Sequence, residues 1–142
     1  MYKYFANALI VNEGREEYGN ILVKANRIEA ISNDPLSDLP LDTEYIDCTG
    51  LIAIPGIIDA HVHFRQPGLE YKADMSSESQ AALAGGVTTV LEMPNTNPTT
   101  TSEKSLEDKL KLANENMYCN YGFFFGLTNS NYSTAKTIAR DN

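Results

Sequence analysis

Two histidines, an aspartate and an arginine alternate with apolar residues in one stretch of this chain, as Asp59, His61, His63 and Arg65. Alternation with a period of two is typical of a β-strand, in which every second side chain lies on the same face, about 6.8 Å from the next. Two imidazoles on one face can bind one metal ion. The alternative is that both histidines are hydrogen-bonded core residues. Because they are the only two histidines of the chain and follow an apolar run, the pattern favours metal binding.

The part of the chain before this stretch indicates short β-strands and no helix. Turn residues such as Asn12 and Gly14, and a loop rich in proline, aspartate and serine at residues 34–42, separate the candidate strands. The predicted strands are residues 5–11, 21–24, 27–31, 45–47 and 51–54. We expect a small, sandwich-like β-sheet module over residues 1–54.

From residue 55 the pattern changes to alternating strands and helices. Strands are predicted for the histidine stretch and residues 87–93 and 118–127, and helices for residues 74–84, 102–115 and 132–140. Asp74 can cap the first helix, or Ser77 with Gln80 one turn later, and Thr100 with Glu103 has capping-box spacing before the second. The apolar stripe of the second helix consists of Leu106, Leu110 and Ala113. Consecutive strand–helix units predict an α/β fold with a parallel sheet and right-handed crossovers.

Composition limits the partners of the protein. The chain has 142 residues, of which 42% are hydrophobic and 21% charged, and a formal charge of −8 without a basic run. This balance argues against nucleic acid and against an anionic membrane surface, and any anionic substrate must be held by local cations. No apolar run reaches the length of a membrane span, and the first residues lack the apolar core of a signal peptide. We therefore expect a cytoplasmic protein in which Cys48 and Cys119 are reduced, buried thiols.

Four ordered blocks of the sequence resemble a known enzyme family. They are PGIIDAHVHFR at residues 55–65, PG at 67–68, AGGVTT at 84–89 and MPNTNP at 93–98. Together they look like a dihydroorotase of the amidohydrolase superfamily, whose members are metal-dependent (β/α)8 barrels. The β-rich start also resembles the small sheet module that precedes the barrel in many of these enzymes. The resemblance implies an α/β fold in which residues 55–142 form the first three βα units of a TIM-type barrel.

The resemblance implies roles for a few residues. His61 and His63 match the pair that binds the first zinc ion of two, and Arg65 and Asn95 match the residues that hold the carboxylate of the substrate. An arginine fork binds a carboxylate through two hydrogen bonds, and an asparagine amide adds a donor. Without the resemblance, Asn95 is equally well a turn residue between prolines. Asp59 matches no role, so we expect a structural hydrogen bond for it.

Two departures from the family pattern stand out. Gln66 occupies a position where relatives often carry glutamate, which is a minor change. The larger departure is length, because a (β/α)8 barrel takes about 250 residues. The remaining metal ligands and the catalytic aspartate of the family lie on later strands, so catalytic residues are expected beyond Asn142 and none within this chain. We expect an amino-terminal fragment that is inactive alone and binds metal weakly, since catalytic zinc takes about three protein ligands.

For the intact protein, the resemblance implies the reversible conversion of N-carbamoyl-L-aspartate to L-dihydroorotate plus water, a step of pyrimidine synthesis. This small molecule and zinc are the implied ligands, and the oligomeric state is left open, with a homodimer as one alternative. A second interpretation is an allantoinase or a dihydropyrimidinase of the same superfamily, although the MPNTNP block favours dihydroorotase. A third is a non-catalytic scaffold, against which the presence of both histidines and Arg65 counts.

Overall fold

The computed structural model describes residues 1–141 of the chain. They form two compact units, Met1–Pro55 and a second unit that begins at Gly56. Each unit has its own sheet. Among the described residues, no helix combines the length and the apolar character that a membrane crossing needs.

The first unit is a β-sheet whose strands are β1 (Tyr2–Asn12), β2 (Arg15–Lys24), β3 (Arg27–Ser32), β4 (Thr43–Asp47) and β5 (Ile52–Ala53). β1 pairs antiparallel with β2, and β2 with β3, whereas β4 and β5 both run parallel to β1. Its buried core consists of Tyr4, Ala6 and Leu22, with Leu36 and Leu39 packed against them. This is the β-sheet module that the sequence predicts.

β2 is longer than predicted, since it begins at Arg15 rather than at residue 21. A two-residue turn at Glu13 and Gly14, with φ of 50° and 74°, connects it to β1. Positive φ at both central residues is the requirement of a type I′ hairpin turn, and glycine meets it without steric cost. The first four residues of β2 are exposed, so no apolar alternation marks them in the sequence.

The second unit alternates strands and helices in the order β6 (Ile57–Val62), α1 (Met75–Ala84), β7 (Val87–Glu92), α2 (Glu103–Asn116), β8 (Asn120–Phe123) and α3 (Tyr132–Asp141). The three strands form a parallel sheet with β7 in the centre. Side chains from the sheet, its loops and the first two helices form the buried core, namely Phe64, Met75, Val90, Ala113 and Cys119. The predicted α/β class with consecutive strand–helix units is confirmed.

The cap of α2 differs from the predicted one. Ser102 is the N-cap, and Ser105 completes the capping box by accepting from the N–H of Ser102. The predicted pair of Thr100 and Glu103 is therefore wrong. Thr100 is buried instead, and its hydroxyl accepts a hydrogen bond from Lys109 at 3.2 Å.

The third strand is shorter than the predicted residues 118–127. Within the described residues, β8 pairs only with β7, and the ladder ends where Glu92 lies opposite Phe123. The N–H of Phe124 still donates to the carbonyl oxygen of Glu92 at 2.9 Å. The segment that follows β7 then turns at Pro94, which has no N–H to continue the ladder. Phe124 is exposed, and Cys119 lies just before the strand rather than within it.

Candidate metal and substrate site

The two histidines lie together at the end of β6. Their ring centroids are 5.2 Å apart in an edge-to-face arrangement with an interplanar angle of 66°. His61 is exposed and His63 is half-buried. The main-chain N–H of His61 donates to Oδ1 of Asp59 at 3.0 Å, which is the structural hydrogen bond expected for that aspartate. Two imidazoles at this separation can bind one metal ion.

The strand alternation does not continue as far as Arg65. β6 ends at Val62, and a γ-turn follows in which the N–H of Gln66 donates to the carbonyl oxygen of Phe64 at 2.9 Å, with a φ of 70° at Arg65. A positive φ is uncommon for a residue with a side chain, and this form of the γ-turn is rare and strained. Phe64 is buried, whereas Ala60, on the edge strand β6 of the described sheet, is exposed. The turn, not the strand period, therefore sets the direction of Arg65.

Asn95 belongs to the loop after β7, and it meets His63 directly. Its Oδ1 lies 3.0 Å from Nδ1 of His63. An amide oxygen only accepts hydrogen bonds, so this contact fits the neutral tautomer of His63 with its proton on Nδ1, which would leave the lone pair of Nε2 for a metal ion. The Nδ2 group of Asn95 keeps its two donors for a ligand. The two residues are 32 positions apart in the chain, and they meet because parallel neighbouring strands end at the same edge.

The loops after β6 and β7 touch at Gly68. This residue has a φ of 84°, and a Cβ atom built on it would overlap the carbonyl oxygen of Asn97. The N–H of Asn97 donates to the carbonyl oxygen of Pro67 at 3.0 Å, so the two backbones are joined directly. Both the φ and the space admit only glycine. The contact holds the loop that carries Asn95 against the loop that follows Arg65.

Gly68→Ala is therefore expected to separate the two loops and to lower the free energy of unfolding by more than about 1 kcal/mol. Urea unfolding of the complete protein measures the loss. Gly14→Ala is the matched control, because its φ of 74° is also positive but a Cβ atom there meets nothing within 4 Å. Equal losses in the two variants would show that the contact with Asn97 does not matter.

Sequence patterns did not indicate a buried ion pair next to these loops. Oε2 of Glu92, at the end of β7, lies 3.0 Å from Nζ of Lys109 on α2, and the side chains are 2% and 1% exposed. Burial raises the pKa of the Glu92 carboxyl and lowers the pKa of the Lys109 ammonium, and the opposite charge of each partner counteracts these shifts. The only signal in the sequence is an acidic residue at the end of an apolar strand.

The described residues fit part of a zinc site. His61 and His63 can supply two imidazole ligands, and the tautomer of His63 leaves Nε2 free to bind. Within residues 1–141, no group of three or more His, Cys, Asp or Glu residues is placed to hold a metal ion. A catalytic zinc ion takes about three protein ligands and an open position, so the site needs ligands from elsewhere.

The structure brings together three of the four residues proposed for the site. His61 contacts His63 through the rings, and His63 contacts Asn95 through the hydrogen-bonding pair. Arg65 is two residues further along the same segment, half-buried. The described residues show no side-chain hydrogen bond between Arg65 and the other three.

Comparisons with known proteins show the family to which the chain belongs. Residues 52–142 match the Amidohydrolase family. The chain is 38% identical over 118 residues to a dihydroorotase of Methanothermobacter thermautotrophicus, which covers 83% of this chain and 25% of that protein. It is 46% identical over 85 residues to a dihydroorotase of Syntrophotalea carbinolica, covering 60% of this chain and 19% of that protein.

A solved structure with the same fold is the L-hydantoinase (dihydropyrimidinase) from Arthrobacter aurescens. It superposes with a TM-score of 0.90 at 28% sequence identity, over 98% of this chain and 31% of that chain. The chain therefore spans a quarter or less of the two dihydroorotases and under a third of the hydantoinase.

Proposed function

Because the chain belongs to the amidohydrolase family, we propose that it supplies the first strands of a zinc-dependent dihydroorotase, which interconverts N-carbamoyl-L-aspartate and L-dihydroorotate. The chain covers 25% of the Methanothermobacter dihydroorotase that it resembles, so the activity is that of a complete enzyme. The observation that supports the proposal best is the 3.0 Å contact between His63 and Asn95. It joins a candidate metal ligand to a candidate ligand of the substrate carboxylate.

Each residue of the cluster has a definite task in this reaction. The guanidinium of Arg65 binds the non-reacting carboxylate of the substrate through two parallel hydrogen bonds, and Nδ2 of Asn95 donates to the same group. The chain carries a net charge of −8, so the anionic substrate depends on this local cation. His61 and His63 would hold a zinc ion, and such an ion would supply an activated water near neutral pH and polarise the amide carbonyl. Holding the carboxylate places the amide bond beside the metal.

A second candidate is a hydantoinase or dihydropyrimidinase activity. It is favoured by the TM-score of 0.90 with the Arthrobacter enzyme. The cyclic substrate of such an enzyme lacks the carboxylate of dihydroorotate, so it gives Arg65 nothing to bind. The two candidates therefore differ in whether Arg65 is needed for catalysis.

Assays of the complete protein with carbamoyl-aspartate, dihydrouracil and allantoin distinguish the candidates. We expect turnover of carbamoyl-aspartate with a kcat/KM at least about a hundredfold above that for the other two, because a site that hydrogen-bonds a carboxylate discriminates strongly against ligands that leave its donors unpaired. Preferred turnover of dihydrouracil or allantoin would contradict the proposal. Metal analysis tests the scaffold alternative, since a protein without catalytic zinc has no reason to hold about two ions per chain.

A further inference from the structure

Glu92 and Lys109 form an ion pair that is almost completely shielded from water. Their side chains are 2% and 1% exposed, and the distance from Oε2 to Nζ is 3.0 Å. Charged side chains are almost never buried to this extent unless they are paired, and removing two charges from water is costly. Two apolar residues would fill the same space without the free-energy cost of removing two charges from water. Stability alone therefore does not account for an ion pair at this position. The surroundings of the two charges show what else they contact.

Glu92 lies opposite Val62 in the ladder of β6 and β7, where β6 ends and the segment that carries the Arg65 turn begins. The backbone N–H groups of Phe64 and Arg65 favour its ionised form and lower its pKa against the larger effect of burial. Neither carboxylate oxygen completes a hydrogen bond of standard geometry. The negative charge therefore depends chiefly on the Lys109 ammonium, 3.0 Å from Oε2, with a weaker contribution from the amides of Phe64 and Arg65. These amides belong to the γ-turn in which Arg65 has a φ of 70°, a conformation that persists only when the surroundings hold it.

The ammonium of Lys109 reaches the second loop of the site. Nζ donates to Oγ1 of Thr100 at 3.2 Å and lies 5.1 Å above the ring of Phe123. The N–H of Thr100 donates to the carbonyl oxygen of Pro94 at 3.0 Å, which closes the loop around Asn95. One buried cation thus links the Asn95 loop, through Thr100, to Glu92, which lies opposite the last residue of β6 before the Arg65 turn.

We propose that Glu92 and Lys109 act as a positioning pair that holds Arg65 and Asn95 at the spacing that the substrate carboxylate requires. The pair touches no substrate and takes no part in the chemistry. This inference rests on the proposed function for the roles of Arg65 and Asn95, but the anchoring of the two loops can be measured without any substrate. It also explains why an ion pair occupies a position where apolar residues would fit.

The test replaces the pair with apolar residues of similar size, Glu92→Leu with Lys109→Met, in the complete enzyme. Such replacements of buried ion pairs are often neutral or stabilising, so the variant is expected to fold. The matched control is Lys104→Met with Asp108→Leu, which removes the exposed ion pair of the same helix, with its N–O distance of 2.8 Å. The two measurements are amide hydrogen exchange in residues 64–66 and 94–100 and the steady-state parameters for carbamoyl-aspartate.

In the double variant of Glu92 and Lys109, we expect at least about tenfold faster exchange confined to these two loops. The KM for carbamoyl-aspartate should rise at least about tenfold while kcat changes less than about threefold, since loss of uniform binding raises KM alone. The control should match the wild type in both measurements. A purely structural role would instead lower the amount of active enzyme at an unchanged KM.

Unchanged exchange in both loops would overturn the proposal, as would faster exchange throughout the second unit or faster loop exchange at an unchanged KM. Faster loop exchange in a protein that does not turn over carbamoyl-aspartate would overturn the proposed function and leave the anchoring supported. If the double variant does not fold, the variant Thr100→Val tests the anchoring instead, because it removes only the hydroxyl of Thr100 that accepts a hydrogen bond from Lys109. Faster exchange in residues 94–100 of that variant supports the anchor, and unchanged exchange there overturns it.

Discussion

His61→Ala in the complete enzyme is expected to remove zinc and to reduce dihydroorotase activity by more than the roughly 10–100-fold that the loss of an outer-shell partner costs. The imidazole of His61 lies edge-on to that of His63, with centroids 5.2 Å apart, and two such rings would both serve as ligands of one zinc ion. Without the imidazole of His61, the site would have one ligand fewer for the zinc ion that would activate water. Zinc content after dialysis and turnover of carbamoyl-aspartate measure the two effects.

Two further variants make this expectation specific. Asp59→Asn keeps an oxygen that can accept the hydrogen bond from the His61 N–H, found at 3.0 Å, so zinc content should stay normal. His63→Ala removes a ligand and also the partner of Asn95 at 3.0 Å, so it should lose zinc and, in addition, bind the substrate more weakly. Full zinc occupancy in His61→Ala would refute its assignment as a ligand.

The order of elements in the second unit could be predicted because each is marked by local chemistry. The apolar run of β7 and the helical spacing after Asp74 indicate a strand and a helix from their own residues. Asp74 accepts a hydrogen bond from the N–H of Ser77 at 2.8 Å, as the N-cap pattern predicts. The glycine pair after α1 ends that helix, with Gly85 as its C-cap. Local signals of this kind need no knowledge of the partners in space.

The limits of β8 could not be predicted because they depend on a neighbouring strand. The aromatic run at residues 123–125 suits a strand, yet the ladder stops at Phe123, where β7 ends. The same reason applies to Arg65. Its alternation with the histidines predicts a common face, but the chain leaves the strand at Val62 and enters a turn with positive φ.

The burial of Lys109 could not be predicted from the sequence either. A lysine beside the predicted stripe of α2 ordinarily extends to water, and only Ala113 of that stripe is fully buried. Leu110, which the pattern places in the core, is 42% exposed and faces an apolar groove with Tyr121 and Tyr132. Burial of a lysine requires a carboxylate from another element, and Glu92 lies 17 residues away in the chain, on β7. No periodicity within one helix can report such a partner.

Arg65→Met is expected to raise the KM for carbamoyl-aspartate about tenfold to a hundredfold and to leave zinc content unchanged. A hydrogen bond to a charged group contributes about 1.5–3 kcal/mol, and about 1.4 kcal/mol corresponds to a factor of ten in affinity. Methionine keeps a side chain at the position with φ of 70°, so the backbone of the turn is perturbed less than by glycine. Steady-state kinetics and metal analysis of the same preparation give both quantities.

The variant Arg65→Lys separates the contribution of the positive charge to substrate affinity from that of the planar guanidinium. Lysine keeps the positive charge but cannot form the two parallel hydrogen bonds of a guanidinium, so an intermediate KM would identify the fork itself as the source of affinity. If KM stays at its wild-type value in Arg65→Met while zinc is lost, Arg65 supports the metal site and does not bind the carboxylate. If neither the KM nor the zinc content changes in Arg65→Met and dihydrouracil is turned over well, the substrate carries no carboxylate. In that case Arg65, the one arginine or lysine in residues 61–65, has no role in the reaction.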